Sequence, residues 1–183
     1  MNSRKSAADP LPRAGGRITL RRLAPADLSG FQAYRHDAVL GRYQGWSPLS
    51  DAEALAFIRE MRHAPLFHPG AWCQIGIALR DADELIGDIG LCLAESLDHV
   101  EIGFTVRHKS QGRGLATEAV REAIALVFEH SSVRQVMAVT DARNQASIRL
   151  MERVGMKLSQ TQAAMFKGEP CTEHSFVAQR PER

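Results

Sequence analysis

The sequence predicts an α/β chain of the α+β kind, a mixed sheet with helices packed on it, in the order β-α-α-β-β-β-α-β-α-β-β. Three observations carry this. Apolar residues alternate with period two from Val100 to Val106, as in a pleated strand, and further short apolar runs read as strands beside it. Between them lie segments with apolar residues three and four apart, as on amphipathic helices. At His99 to Val127 a strand, a glycine turn and a helix follow directly on one another.

Residues 1–16 are polar and rich in Pro and Gly and are expected to form a disordered leader, with residues 17–183 a single domain. Arg17 to Leu23 reads as a first strand. Pro25 opens a helix carrying Leu28, Phe31 and Tyr34, proline being tolerated in a first turn. The loop Gly41 to Pro48 holds Tyr43 and Trp46. Ser50 and Glu53 form a capping box for a second helix running to about Met61, and His63 to Gly70, with two prolines, breaks it. Trp72 to Leu79 and Glu84 to Leu93 read as a hairpin across Arg80 to Asp83.

Val100, Ile102, Phe104 and Val106 alternate with polar or small residues on the third strand of this group. A helix follows, with Leu115, Ala119, Ala123, Ile124, Val127 and Phe128 on one broad face, ending near His130. Arg134 to Thr140 is a further strand. Asp141 to Asn144 turns into a helix holding Ile148, Met151 and Val154, closed by Gly155 at C′. Weaker strands follow from Met156, the clearest at His174 to Ala178.

The strand–turn–helix at residues 99–127 aims backbone N–H groups and a helix N-terminus at one point, a site for a pyrophosphate. Gly112 and Gly114 permit positive φ and close approach of a ligand, Ala116 is small, and Lys109 and Arg113 add positive charge. The other reading is an ordinary connection whose glycines only turn the chain.

The spacing Gln111-x-x-Gly114-x-Ala116 resembles the acyl-CoA pyrophosphate loop of the GNAT superfamily of N-acetyltransferases, and Gly112 to Ala119 (GRGLATEA) looks like its Rim-type branch, which acetylates ribosomal-protein N-termini. The resemblance runs roughly from Arg17 to the C-terminus. It implies a mostly antiparallel central sheet flanked by helices and acetyl-CoA as co-substrate, with no metal. It also implies a primary amine as acceptor, on a small molecule or a protein N-terminus. Cofactor contacts are then expected at Phe104, Thr105, Val106, Lys109, Gln111, Gly112, Arg113, Gly114, Leu115, Ala116, Thr117, Asn144 and Ser147.

Direct acetyl transfer needs a bound thioester, a deprotonated amine, support for an oxyanion and a proton for the departing thiolate. Glu101, on the strand before the loop, is the candidate base; a solvent-facing strand residue is the plain alternative, and some relatives need no side-chain base. His99 and His174 are weaker options. Many relatives place a tyrosine acid four residues before the glycine that ends the last helix. That position is Met151 here, which carries no proton, and Tyr34 and Tyr43 lie far upstream. Asn144-x-x-Ser147 matches the Rim-type Asn-x-x-Ser, so Ser147 is the candidate acid, with helix capping as the competing role for both residues. Tyr43 and Trp46 are candidates for the acceptor site. Cys92 and Cys171 have no activating partner in sequence.

Two other functions compete. One is a dinucleotide-binding oxidoreductase. Thr117 stands where the Rossmann fingerprint has its third small residue, and the turn follows an interior strand, against that reading. The other is a non-catalytic acyl-CoA-binding regulatory module, which the absent tyrosine favours. A P-loop is excluded, since no Gly-x-x-x-x-Gly-Lys-Ser/Thr occurs. Composition narrows the classes further. With 183 residues, 44% hydrophobic and 24% charged, the chain is long enough for one full core. No apolar run approaches the ~20 residues of a membrane span. A net charge of +2 with interspersed signs does not suggest a nucleic-acid surface. Three scattered cysteines suit a reducing cytoplasm and the seven histidines show no metal-ligand spacing. A homodimer is possible by resemblance, although nothing in the sequence marks an interface.

Overall fold

The computed structural model describes residues 9–182. Eight strands form one sheet among them: β1 (Arg13–Ala14), β2 (Ile18–Arg22), β3 (Trp72–Leu79), β4 (Leu85–Leu93), β5 (His99–Val106), β6 (Gln135–Asp141), β7 (Lys157–Phe166) and β8 (Glu169–Gln179). Their order across the sheet is β1-β2-β3-β4-β5-β6-β8-β7. Every neighbouring pair is antiparallel except β5 and β6, which are parallel. The helices are α1 (Leu28–Arg35), α2 (Ala38–Gly41), α3 (Asp51–His63), α4 (Leu115–His130) and α5 (Gln145–Arg153). The mixed, mostly antiparallel sheet with flanking helices is as expected, with two additions, β1 and the single turn of α2.

β1 lies inside the stretch expected to be disordered. Its pairing with β2, the burial of Leu11 and the ion pairs of Arg13 with Glu122 and Glu129 of α4 tie residues 9–16 to the body. Disorder therefore does not extend over this part of the expected leader, and residues 1–8 lie outside the described residues. Two residues carry no period-two signal, which is why β1 was not legible.

Strand register divides the side chains between two faces. On one face Ile75, Ile89, Phe104 and Ile102 meet Leu115, Ala119 and Ala123 of α4 in the larger core. On the other, Phe31 and Tyr34 of α1 pack with Ala54, Ile58 and Met61 of α3 in a second core. Hydrophobic burial on both faces is the main force holding the layers together. Local signals set the ends. Ser50 and Glu53 make the expected capping box. Gly155, at φ +91°, closes α5 in a Schellman motif, Met156 N–H donating to Met151 C=O and Gly155 N–H to Glu152 C=O, both at 3.0 Å. Arg180 donates to the carbonyls of Phe128, Ser131 and Val133, satisfying the C-terminal end of α4. No helix of the described residues is long and apolar enough to cross a membrane.

Candidate active site

The sheet parts at its one parallel junction. β5 and β6 pair only through His99–Glu101 and Gln135–Met137, and beyond Glu101 the ladder stops. Phe104 C=O instead accepts from Gln44 Nε2 at 3.3 Å and Val106 C=O from Gln111 Nε2 at 2.8 Å, while Arg107 N–H turns to Ile86 C=O beside β4. Backbone direction alternates along a strand, so Ile102, Phe104 and Val106 present their polar backbone groups to the gap.

At the C-terminal end of β5 a single 3-10 turn (His108–Ser110) leads into the glycine loop. Gly112 and Gly114 adopt φ of +70° and +77°, a region where a side chain is strained. The first N–H of α4 to find an acceptor in the fold is that of Glu118, on Gly114 C=O at 3.1 Å. Those of residues 112–117 have none among the described residues, and a helix N-terminus so exposed attracts anions. Lys109, Gln111 and Arg113 are exposed around it. Arg17 fixes the loop from outside, donating to Arg113 C=O at 2.9 Å and pairing with Glu118. Leu115 and Thr117 point inward, Leu115 into the core and Thr117 Oγ1 towards Arg153 at 3.3 Å, so only their backbones face the loop. Ala116 is half-buried.

On the α1/α3 face a cleft of about 470 Å³ opens over the same part of β5. Gly103 leaves part of its floor bare, since a Cβ there would meet nothing within 4 Å. Its cross-strand partner Gly90 is covered by the side chains of Gln74 and Trp72, 2.8 and 2.9 Å from where a Cβ would stand. Glu101 and Thr105 flank Gly103 in this floor. Burial pushes the Glu101 carboxyl above its ordinary pKa, His99 opposing and Glu173 reinforcing the shift. Tyr43 and Trp46 line the cleft, and Gln44 between them reaches the gap. Asn144 and Ser147 stand outside this lining, at the start of α5. There Asn144 Oδ1 accepts from Ser147 N–H at 3.3 Å, a capping role, while Ser147 Oγ makes no hydrogen bond among the described residues.

The competing candidates fare differently. His99 is engaged with Asp98 at 2.6 Å and His174 with Thr161 at 2.9 Å, and neither lines the cleft. Met151 is buried in the core. Burial pushes the Cys92 and Cys171 thiols up, which leaves neither an activated thiolate. Sequence reasoning missed the groups that β3, β4, β8 and α1 bring to the cleft, Arg35, Trp72, Gln74, Asp88 and Glu173 among them. Their only signal was a polar or aromatic side chain within a strand or helix, and nothing in the sequence tied these to one another.

A sheet that parts beside a glycine loop and a helix N-terminus offers an anion site at the end of an unladdered strand edge. Residues 17–157 match the family model of the acetyltransferase (GNAT) domain, and the chain belongs to that family of N-acetyltransferases. An uncharacterized N-acetyltransferase, YoaA of Bacillus subtilis (strain 168), is 29% identical over 144 residues, covering 77% of this chain and 80% of that protein. Among solved structures, a GNAT-family acetyltransferase from Bacillus anthracis superposes with TM-score 0.80 at 18% identity, over 91% of this chain and 96% of the other. RimL, a ribosomal L7/L12 alpha-N-protein acetyltransferase in complex with coenzyme A, gives TM-score 0.75 at 15% identity, over 92% and 97%. A spermidine N-acetyltransferase from Vibrio cholerae, in complex with CoA and spermine, gives 0.76 at 17%, over 90% and 96%. At these identities the likeness is one of fold. Family membership makes acetyl-CoA the acetyl donor and sets aside the dinucleotide-dependent oxidoreductase.

Proposed function

We propose that this enzyme moves the acetyl group of acetyl-CoA directly to a primary amine, on a small molecule or a protein N-terminus, within the cleft over β5. The observation that carries the proposal is the meeting of three features on one strand. The unladdered edge of β5 ends at the glycine loop, and half-buried Glu101 of the same strand faces the cleft.

In this reading the free N–H groups of residues 112–117, with Lys109, Gln111 and Arg113 around them, hold the pyrophosphate. The gap-facing backbone of Phe104 and Val106 bonds the pantetheine arm as a neighbouring strand would, with Thr105 beside it, and Asn144 contacts the arm from the far side. A backbone N–H of β5 aimed at the thioester oxygen stabilises the negative charge that develops there. Glu101 takes the proton from the incoming ammonium. A base works best with a pKa near the working pH, and the upward push from burial moves Glu101 that way. The free hydroxyl of Ser147 returns a proton to the departing thiolate, and Tyr43 and Trp46 contact the acceptor.

The test is release of free CoA thiol from acetyl-CoA with a panel of primary amines, with the acetylated product identified by mass. Amine-dependent thiol release with a mass gain of one acetyl group is the expected result. Tight acetyl-CoA binding with no amine turned over would replace this reading by that of an acyl-CoA-binding regulatory module.

A further inference from the structure

Among the described residues four buried side-chain atoms lack a hydrogen-bond partner, and three of them, Arg35 Nε, Trp46 Nε1 and Gln74 Oε1, belong to residues lining the one cleft over β5. Buried polar groups are ordinarily satisfied, so this concentration calls for a reason. Arg35 is the most constrained of the three. It is 5% exposed, and its guanidinium carbon lies 4.7 Å from the ring centroids of both Phe31 and Trp46. The fold uses only Nη2, which donates to Asp88 Oδ2 at 2.5 Å, the oxygen that also accepts from the Tyr34 hydroxyl at 2.8 Å. Nη1 makes no hydrogen bond among the described residues, and Arg35 is one of the residues that line the cleft. A guanidinium held this way, with most of its donors idle, is costly unless something else comes to them.

We propose that Arg35 reads the acceptor. Its guanidinium holds an oxygen, of a carboxylate or an amide carbonyl, that the acceptor carries besides its reacting amine. The substrates are then amino acids or peptide N-termini rather than plain alkylamines or polyamines. This rests on the acetyl-transfer reading of the same cleft. Asp88 balances the charge of Arg35, so the oxygen need not be ionised. At the other end of the cleft Glu101 and Glu173 form no ion pair among the described residues and draw the ammonium end of the acceptor. Between the two ends lies Gly103, whose missing side chain leaves open space for a short backbone beside the Gln74 amide and the Trp72 ring that cover Gly90. The competing role for Arg35 is purely structural, knitting α1 to β4 through Asp88.

The experiment compares propylamine, free alanine and alanyl-alanine amide as acceptors, with rates taken per ammonium form, for the wild type and Arg35→Lys. Lysine keeps the charge but lacks the fork needed to hold Asp88 and a second oxygen together. The wild type should prefer one or both carbonyl-bearing acceptors over propylamine by about tenfold or more, the effect of one charge-assisted hydrogen bond. Preference for alanine identifies a carboxylate, and preference for the dipeptide amide a backbone carbonyl. In Arg35→Lys the KM for the preferred acceptor should rise about tenfold more than that for propylamine, while the affinity for acetyl-CoA stays unchanged. A wild type that uses propylamine equally well overturns the proposal without any variant, as does a variant that loses all acceptors equally. Turnover of none of the three, with acetyl-CoA bound, removes the acetyl-transfer reading itself and the proposal with it.

Discussion

Replacing Gly112 separates a phosphate-binding loop from an ordinary turn. Its φ of +70° lies in the left-handed region, where an alanine costs about 1–2 kcal/mol. At about 2–4 °C per kcal/mol for a domain of this size, Gly112→Ala should lower Tm by about 2–8 °C. Nothing else in the fold resists the change, since a Cβ at this position meets no atom within 4 Å. Gly112→Asn should lose less, because asparagine tolerates the left-handed region. Both side chains nevertheless occupy the space in which a pyrophosphate would approach the backbone. Loss of one hydrogen bond to a charged group, worth about 1.5–3 kcal/mol, weakens acetyl-CoA binding about 10–100-fold. Calorimetric titration and thermal unfolding of both variants give the two quantities separately. Gly112→Asn with near-wild-type Tm and wild-type acetyl-CoA affinity would refute the loop's role.

The other predictions concern proton transfer. Glu101→Gln should lower kcat/KM by about 10²–10⁴ and remove the acid limb of its pH profile; an unchanged limb would exclude Glu101 as base. The sign for stability is opposite. Burial raises the folded-state pKa of Glu101, so its ionised form costs stability above that pKa, and the cost fades as pH falls through it towards the unfolded value. Glu101→Gln should therefore raise Tm more at about pH 8 than at about pH 4, and equal shifts at both would show that the carboxyl is not destabilised by burial. Ser147→Ala should lower kcat more than it weakens acetyl-CoA binding and should leave α5 intact, because the cap uses the Ser147 backbone N–H and not its hydroxyl; full turnover would remove it from the mechanism.

What the sequence revealed follows the range of the forces involved. The strand at residues 100–106, the capping box of Ser50 and Glu53 and the glycine stop at Gly155 are local patterns, and each reappears in the structure with its expected partner. The cleft is assembled by register across strands distant in sequence. Glu101 meets Cys92, Gly103 meets Gly90 and Thr105 meets Asp88 only because β4 and β5 pair as they do. Glu173 joins them through the pairing of β8 with β6, and no periodicity encodes that. Sequence distance also set Tyr43 apart from the catalytic residues, whereas the loop after α2 carries it into the cleft, next to Gln44 and its bond to Phe104. Tyr34 stays buried between α1 and β4, and its burial, with Asp88 alongside, keeps its hydroxyl protonated.

The central claim is that Gln111 to Ala116, with the unladdered edge of β5, forms an acyl-CoA site. It is tested most directly by titrating the purified protein with acetyl-CoA, with NAD and ATP titrated in parallel. Saturable binding of acetyl-CoA, with neither nucleotide bound at the same concentrations, is the predicted result. No binding of acetyl-CoA, or equal binding of NAD, would contradict it.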